Sequence, residues 1–123
     1  LTAVRKSGQL SYLRPDGKGK PGETRNWPGN KDFVNLPFNA MSFVIDGKRY
    51  TAVYLDRPQN PKEARFSERT YGRFGSYFVY DLDEGKDLEV NYRVWLQDGE
   101  MTGQQAAALA ADFTDPVQVT IKQ

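Results

Sequence analysis

Apolar and polar side chains alternate along several separate stretches of this chain, and that period of two is the signature of half-buried strands. Gln9 to Arg14 reads as a strand with Leu10 and Tyr12 on one face. Met41 to Ile45 and Lys48 to Leu55 flank Asp46-Gly47, a pair suited to a type I′ hairpin turn, in which both central residues take positive φ. In the second arm Tyr50, Ala52 and Tyr54 face one way and Thr51, Val53 and Leu55 the other. Ser76 to Leu82 predicts another strand. Leu88 to Gln97 predicts a long one, with Leu88, Val90, Tyr92, Val94 and Leu96 on its apolar face. Phe33 to Leu36 predicts a short edge strand stopped by Pro37, and Val117 to Ile121 a last strand after Pro116.

One segment carries a different period. Thr102 and Gln105 are spaced as a capping box, and the Ala- and Leu-rich run that follows predicts a helix from about Gly103 to Phe113. Two irregular stretches interrupt the pattern. Pro15 to Asp32 is dense in Gly, Pro and charge. Asp56 to Gly75 carries Pro58 and Pro61 near its start, with a helical turn expected around Lys62 to Phe66. Antiparallel neighbours with tight turns and one late helix predict a mainly β fold: an antiparallel β-sandwich, or half of a larger one, with a single helix in the C-terminal region.

The 123 residues are ordinary for one domain and enough to bury a core. The first residue is Leu1, not Met, and it opens directly onto strand-like sequence, so the chain reads as a processed or truncated product with its natural N-terminus elsewhere. There is no Cys and no His, which excludes a thiolate nucleophile, a Cys zinc site and a Ser-His-Asp triad within this chain. No cofactor and no metal site is expected. No apolar run reaches the roughly 20 residues of a membrane helix. Residues 1–75 hold 14 Lys/Arg against 7 Asp/Glu, whereas residues 76–123 hold 3 against 9. The net charge of +1 is weaker than a nucleic-acid binder usually shows. Neither nucleic acid nor membrane is an expected partner.

The candidate chemistry lies in the second irregular stretch. Asp56, Arg57, Asn60, Arg65, Glu68, Arg69, Tyr71 and Arg73 would share one rim at the end of a strand, with Phe66 and Phe74 among them. Guanidinium forks suit carboxylates, phosphates and sugar hydroxyls, and the aromatic rings could stack on a sugar. The alternative is structural: Arg and Glu in a long loop commonly pair to pin it. Arg25, Asn26 and Trp27 form a second candidate, with packing as the simpler role for Trp27. A carboxylate-dependent sugar-modifying enzyme would need Asp56, Glu68 or Glu100 as general base, with two carboxylates brought together by the fold.

These residues also carry a resemblance. Asp56-Arg57-Pro58, Asn60-Pro61, Arg65, Tyr71-Gly72, Phe74-Gly75 and the YRVWLQDGE strand end, together with the earlier RPDGKGKPGETRNWP, resemble the PmoA-like bacterial domain family over most of the chain. The resemblance implies a β-sandwich similar to galactose-mutarotase-like proteins and a periplasmic or extracellular location in polysaccharide-degrading bacteria; because members are longer, it also implies that this chain is a C-terminal part, with the N-terminal part of the same protein as a partner. It also implies an association with carbohydrate, through sugar binding or support of a sugar-active site. Arg57 stands where many members have His, so a His-dependent function would be altered here. A membrane copper oxygenase, which the family name suggests, is excluded by the lack of His and of membrane helices.

Overall fold

A computed structural model describes residues 10–114. Its backbone forms seven strands and one helix: β1 (Ser11–Arg14), β2 (Gly17–Lys18), β3 (Phe38–Ile45), β4 (Lys48–Asp56), β5 (Arg65–Glu68), β6 (Phe74–Tyr77), β7 (Tyr92–Asp98) and α1 (Gly103–Thr114). Five strands form one sheet in the order β2-β1-β3-β4-β7, and β5 pairs with β6 in a second. All pairings are antiparallel, so the fold is mainly β and sandwich-like. The strand expected over Val117 to Ile121 lies outside the described residues.

The β3–β4 hairpin is the backbone of the large sheet. Its ladder runs unbroken from Ile45↔Lys48 to Phe38↔Leu55, closed by Asp46 at φ 51° and Gly47 at φ 75°, as the Asp-Gly pair predicts. Each face of the sheet has its own cover. Leu13, Phe38, Ala40, Val53 and Leu55 meet Met101, Ala106, Ala110 and Phe113, so α1 lies across one face. Ala106, Ala110 and Phe113 recur at the spacing of one helical stripe. The capping box forms in both directions: the Gln105 amide donates to Thr102 Oγ1 at 3.1 Å, and the Thr102 amide to Gln105 Oε1 at 3.0 Å. On the opposite face Leu10, Tyr12 and Met41 pack with Phe43, Ile45 and Phe74, while Phe33, Ala64 and Phe66 gather Leu36 and Tyr54. The β5–β6 pair covers that side.

Four expectations fail, the first three because a partner runs out. The strand predicted over Leu88 to Gln97 begins only at Tyr92: its neighbour β4 ends at Asp56, Arg57 makes one last contact with the Asn91 carbonyl at 3.4 Å, and Pro58 has no N–H to continue. The strand predicted over Ser76 to Leu82 is replaced by Phe74–Tyr77, because β5 offers partners only as far as Arg65↔Tyr77. Residues 78–91 therefore alternate without a ladder. Phe33 to Leu36 makes a single bridge, Val34↔Arg65, before Asn35 turns to φ 53°. The helical turn around Lys62 to Phe66 is absent, since Arg65 and Phe66 already belong to β5.

The two kinds of apolar position on this sheet should respond differently to truncation. Leu55 is fully buried, and Leu55→Ala should cost about 2–5 kcal/mol in denaturant unfolding. Leu96 is 69% exposed, and Leu96→Ala should stay within about 0.5 kcal/mol.

Candidate functional site

The eight loop residues do not share one rim. The fold distributes them over three places, each fixed by a different part of the sheet.

The first lies where β4 ends. Asp56 is buried. Asn60 Nδ2 donates to Asp56 Oδ1 at 2.6 Å and to the Asn91 carbonyl at 2.7 Å, while Asn60 Oδ1 accepts from the Asn91 amide at 2.8 Å. Lys62 Nζ holds the other Asp56 oxygen at 2.8 Å. Both carboxylate oxygens are thus taken by the protein, and the knot ties the loop to the start of β7. Arg57 lies 5.1 Å from the ring centre of Phe113 and clamps the end of α1 by a cation–π contact. A hollow of about 330 Å³ opens beside this knot, lined in part by Leu36, Pro37, Asp56 and Lys62.

The second place is the interior between the two sheets. Glu68 is fully buried. Arg14, also buried, donates to it through Nε at 3.2 and 3.1 Å and through Nη2 at 2.7 Å. Asn39 Nδ2 adds a bond at 2.8 Å and the Arg25 amide one at 2.9 Å. Turning its NH₂ toward Glu68 leaves Asn39 Oδ1 buried without a partner. Gly19 lies over the guanidinium so closely that an added Cβ would stand 2.7 Å from Arg14 Nη1. A carboxylate with four protein donors and no exposure has no room for a ligand.

The third place is open. β5 and the turn after it carry Arg65, Arg69, Tyr71 and Arg73, and the first irregular stretch runs alongside through the bridge Asn26↔Ser67. Asn26 Oδ1 accepts from Ser67 Oγ at 2.8 Å, the Glu68 amide at 3.0 Å and Arg69 Nη1 at 2.6 Å. Trp27 is flanked by cations, with Arg65 at 3.9 Å and Lys31 at 4.5 Å from its ring centre, and it meets Tyr77 edge-on. A cleft of about 430 Å³ lies here, lined by Ser67, Arg69, Arg73, Phe74, Gly75, Ser76 and Tyr77. No carboxylate lines it. The Arg73 side chain is exposed and pairs with no acid among the described residues, while Tyr71 stands half-buried in the turn.

The cleft's floor is held by tyrosines of the large sheet. Tyr12 Oη donates to the Arg69 carbonyl at 2.5 Å, and Tyr54 Oη shares a hydrogen bond with Ser76 Oγ at 2.9 Å. Burial pushes both phenols up to about 12. Trp27, Asn26 and Arg14 are the residues that sequence reasoning underweights. The one signal for Arg14 is its place on the Leu10–Tyr12 face of β1.

Asp56 and Glu100 do not form a catalytic pair. Asp56 lies at the β4 end paired with Tyr92, whereas Glu100 follows Asp98, which pairs with Tyr50 at the other end. Six residues of strand separate those ends by roughly 20 Å, against the 5–9.5 Å of glycosidase carboxylates. Glu100 is engaged by Lys18 at 2.8 Å and Arg49 at 3.7 Å, and the Lys18 bond holds its carboxyl below the usual range.

Comparison with known proteins places this chain. It belongs to the family of unknown function DUF6807. The family model matches residues 2–111, which span the Asp56 knot, the buried Glu68 and the cleft. No curated protein and no solved structure matches the chain.

Two outcomes test the geometry of this DUF6807 domain. Glu68→Ala should destabilise it by about 3–5 kcal/mol, because the buried Arg14 guanidinium loses its hydrogen-bonded partner and keeps only the half-exposed Glu23 at 3.5 Å; urea unfolding measures this. Because the folded-state values of Tyr12 and Tyr54 lie above that of an exposed phenol, stability should be full below about pH 10 and fall as pH rises toward 12. Unfolding midpoints across that window should decline less in a Tyr12→Phe, Tyr54→Phe double variant.

Proposed function

We propose that this DUF6807 domain is a carbohydrate-binding domain, acting as a non-catalytic module that holds a sugar carrying a negative charge in the cleft beside β5 and β6. The observation that carries this reading is the acid-free cleft, with Arg69 fixed by Asn26 and Arg73 left without an acid among the described residues. Two guanidinium groups of different constraint suit a carboxylate or sulfate, one as a fixed anchor and one as an adaptable fork. Ser67 and Ser76 add hydroxyls, and Tyr77, 45% exposed, offers a ring for stacking on a pyranose. The resemblance to PmoA-like proteins and to galactose-mutarotase-like sandwiches favours sugars over other polyhydroxylated anions, and an exported bacterial protein as the setting. A carboxylate-dependent enzyme is the weaker reading, because Asp56 and Glu68 are saturated by protein donors and Glu100 is remote from Asp56.

Calorimetric titration with uronate-containing and neutral oligosaccharides of equal length tests the reading. The acidic sugar should bind more tightly. Arg73→Ala should lose about 1.5–3 kcal/mol of that binding, roughly ten- to a hundredfold, and Arg73→Lys should recover part of it. Equal binding by the wild-type protein and Arg73→Ala, or no binding to either class, would overturn it.

A further inference from the structure

The two edges of the large sheet are built differently. One edge, β2, is two residues long and carries Lys18, which is how natural sheets blunt an edge. The other edge, β7, is seven residues long and runs in unbroken register along β4, with no Pro, no Lys and no bulge. No strand lies beyond it among the described residues.

The hydrogen-bond phase shows which groups β7 offers outward. The Arg57 amide bonds the Asn91 carbonyl and the Gly99 amide bonds the Arg49 carbonyl, so the pairs in phase with these, Leu55/Arg93, Val53/Trp95 and Thr51/Gln97, bond inward. Tyr92, Val94, Leu96 and Asp98 therefore direct their N–H and C=O groups away from the sheet. Four of its seven side chains are large, apolar and exposed: Tyr92 40%, Val94 61%, Trp95 43% and Leu96 69%; Arg93, Gln97 and Asp98 are the other three. Five more large apolar side chains are exposed in residues 79–90, which lead into β7. A second strand laid along β7 would cover part of this apolar surface on both faces of the sheet. An unblunted edge strand with exposed apolar side chains is a template for pairing with another chain.

We infer that β7 pairs antiparallel with β7 of a second copy of this chain, joining two five-stranded sheets across a two-fold axis at Trp95. The strand is complementary to itself in that register. The outward-bonding Val94 faces Leu96 of the second copy, an apolar pair, and Tyr92 faces Asp98, so the outward N–H and C=O groups of the two strands meet in phase. Arg93 faces Gln97, and no like charges are opposed. On the α1 side the two Trp95 rings meet at the axis. A contact that uses the same strand on both partners is isologous and closes as a dimer.

The chain has no cysteine, so one introduced thiol reports the register. At a non-hydrogen-bonded antiparallel pair the Cα atoms approach to about 4.5 Å, within disulfide reach. Trp95→Cys should give a disulfide-linked dimer on mild oxidation, whereas Arg93→Cys should not, because position 93 lies four residues out of register with its own copy. Sedimentation of the unmodified chain should show a reversible dimer. Val94→Lys and Val94→Pro, which leave the bonds to β4 intact, should weaken it roughly tenfold or more with unchanged circular dichroism. A monomer at all concentrations, a dimer indifferent to both Val94 substitutions, or cross-linking by Arg93→Cys instead of Trp95→Cys would overturn the pairing. A clean monomer would leave the apolar edge to a different polypeptide, such as a preceding part of the same protein.

Discussion

Glu68 sits where four segments of chain meet: β5, which carries it, β1 through Arg14, β3 through Asn39 and the first irregular stretch through the Arg25 amide. A charge this deep is tolerated only with its partners in place. The ion pair adds little net stability over an apolar core. Its effect is on register: shifting β5 by one residue would turn Glu68 to the other face and leave Arg14 without its hydrogen-bonded partner. The position of β5 and β6 on the large sheet, and the shape of the cleft beside them, depend on that constraint.

The same constraint explains why two long irregular stretches coexist with a rigid domain. Pro15 to Asp32 and Asp56 to Gly75 look mobile by composition, yet they brace each other. Trp27 bonds Phe66, the Glu68 amide bonds the Arg25 carbonyl, and Asn26 gathers three donors. Backbone polar groups that lack a sheet are satisfied by the neighbouring loop. The cleft is therefore walled by side chains whose positions are set from behind, the arrangement that lowers the ordering cost of binding. Arg73, beyond the braced part, keeps its freedom.

Burial is distributed unevenly for a domain of this size. The β1–β3–β4 centre is covered on both faces, by α1 on one and by β5 and β6 on the other. β7 is reached by α1 only at Arg93, which lies over Phe113, and it exposes apolar side chains on both faces. Sheet edges are either closed, blunted or used, and here one is blunted and the other is built for use.

The amino-acid sequence by itself determined what depends on near neighbours. Alternation and Asp46-Gly47 specified the β3–β4 hairpin, and Thr102 with Gln105 specified where α1 begins. Pro58 with Pro61 marked the end of β4, because each acts through contacts within a few residues. The length of a strand is a different matter, since it is set by its partner. Leu88 to Val90 and Phe78 to Leu82 alternate as well as any strand here, but β4 and β5 end too soon to pair with them. The site was legible as a list of residue types and not as a place. Arg14 and Glu68 are 54 positions apart, and no local pattern distinguishes the glutamate that is sealed inside from the arginine five residues later that faces the cleft. Only the tertiary structure decided that, because burial and charge pairing are properties of segments brought together from distant parts of the chain.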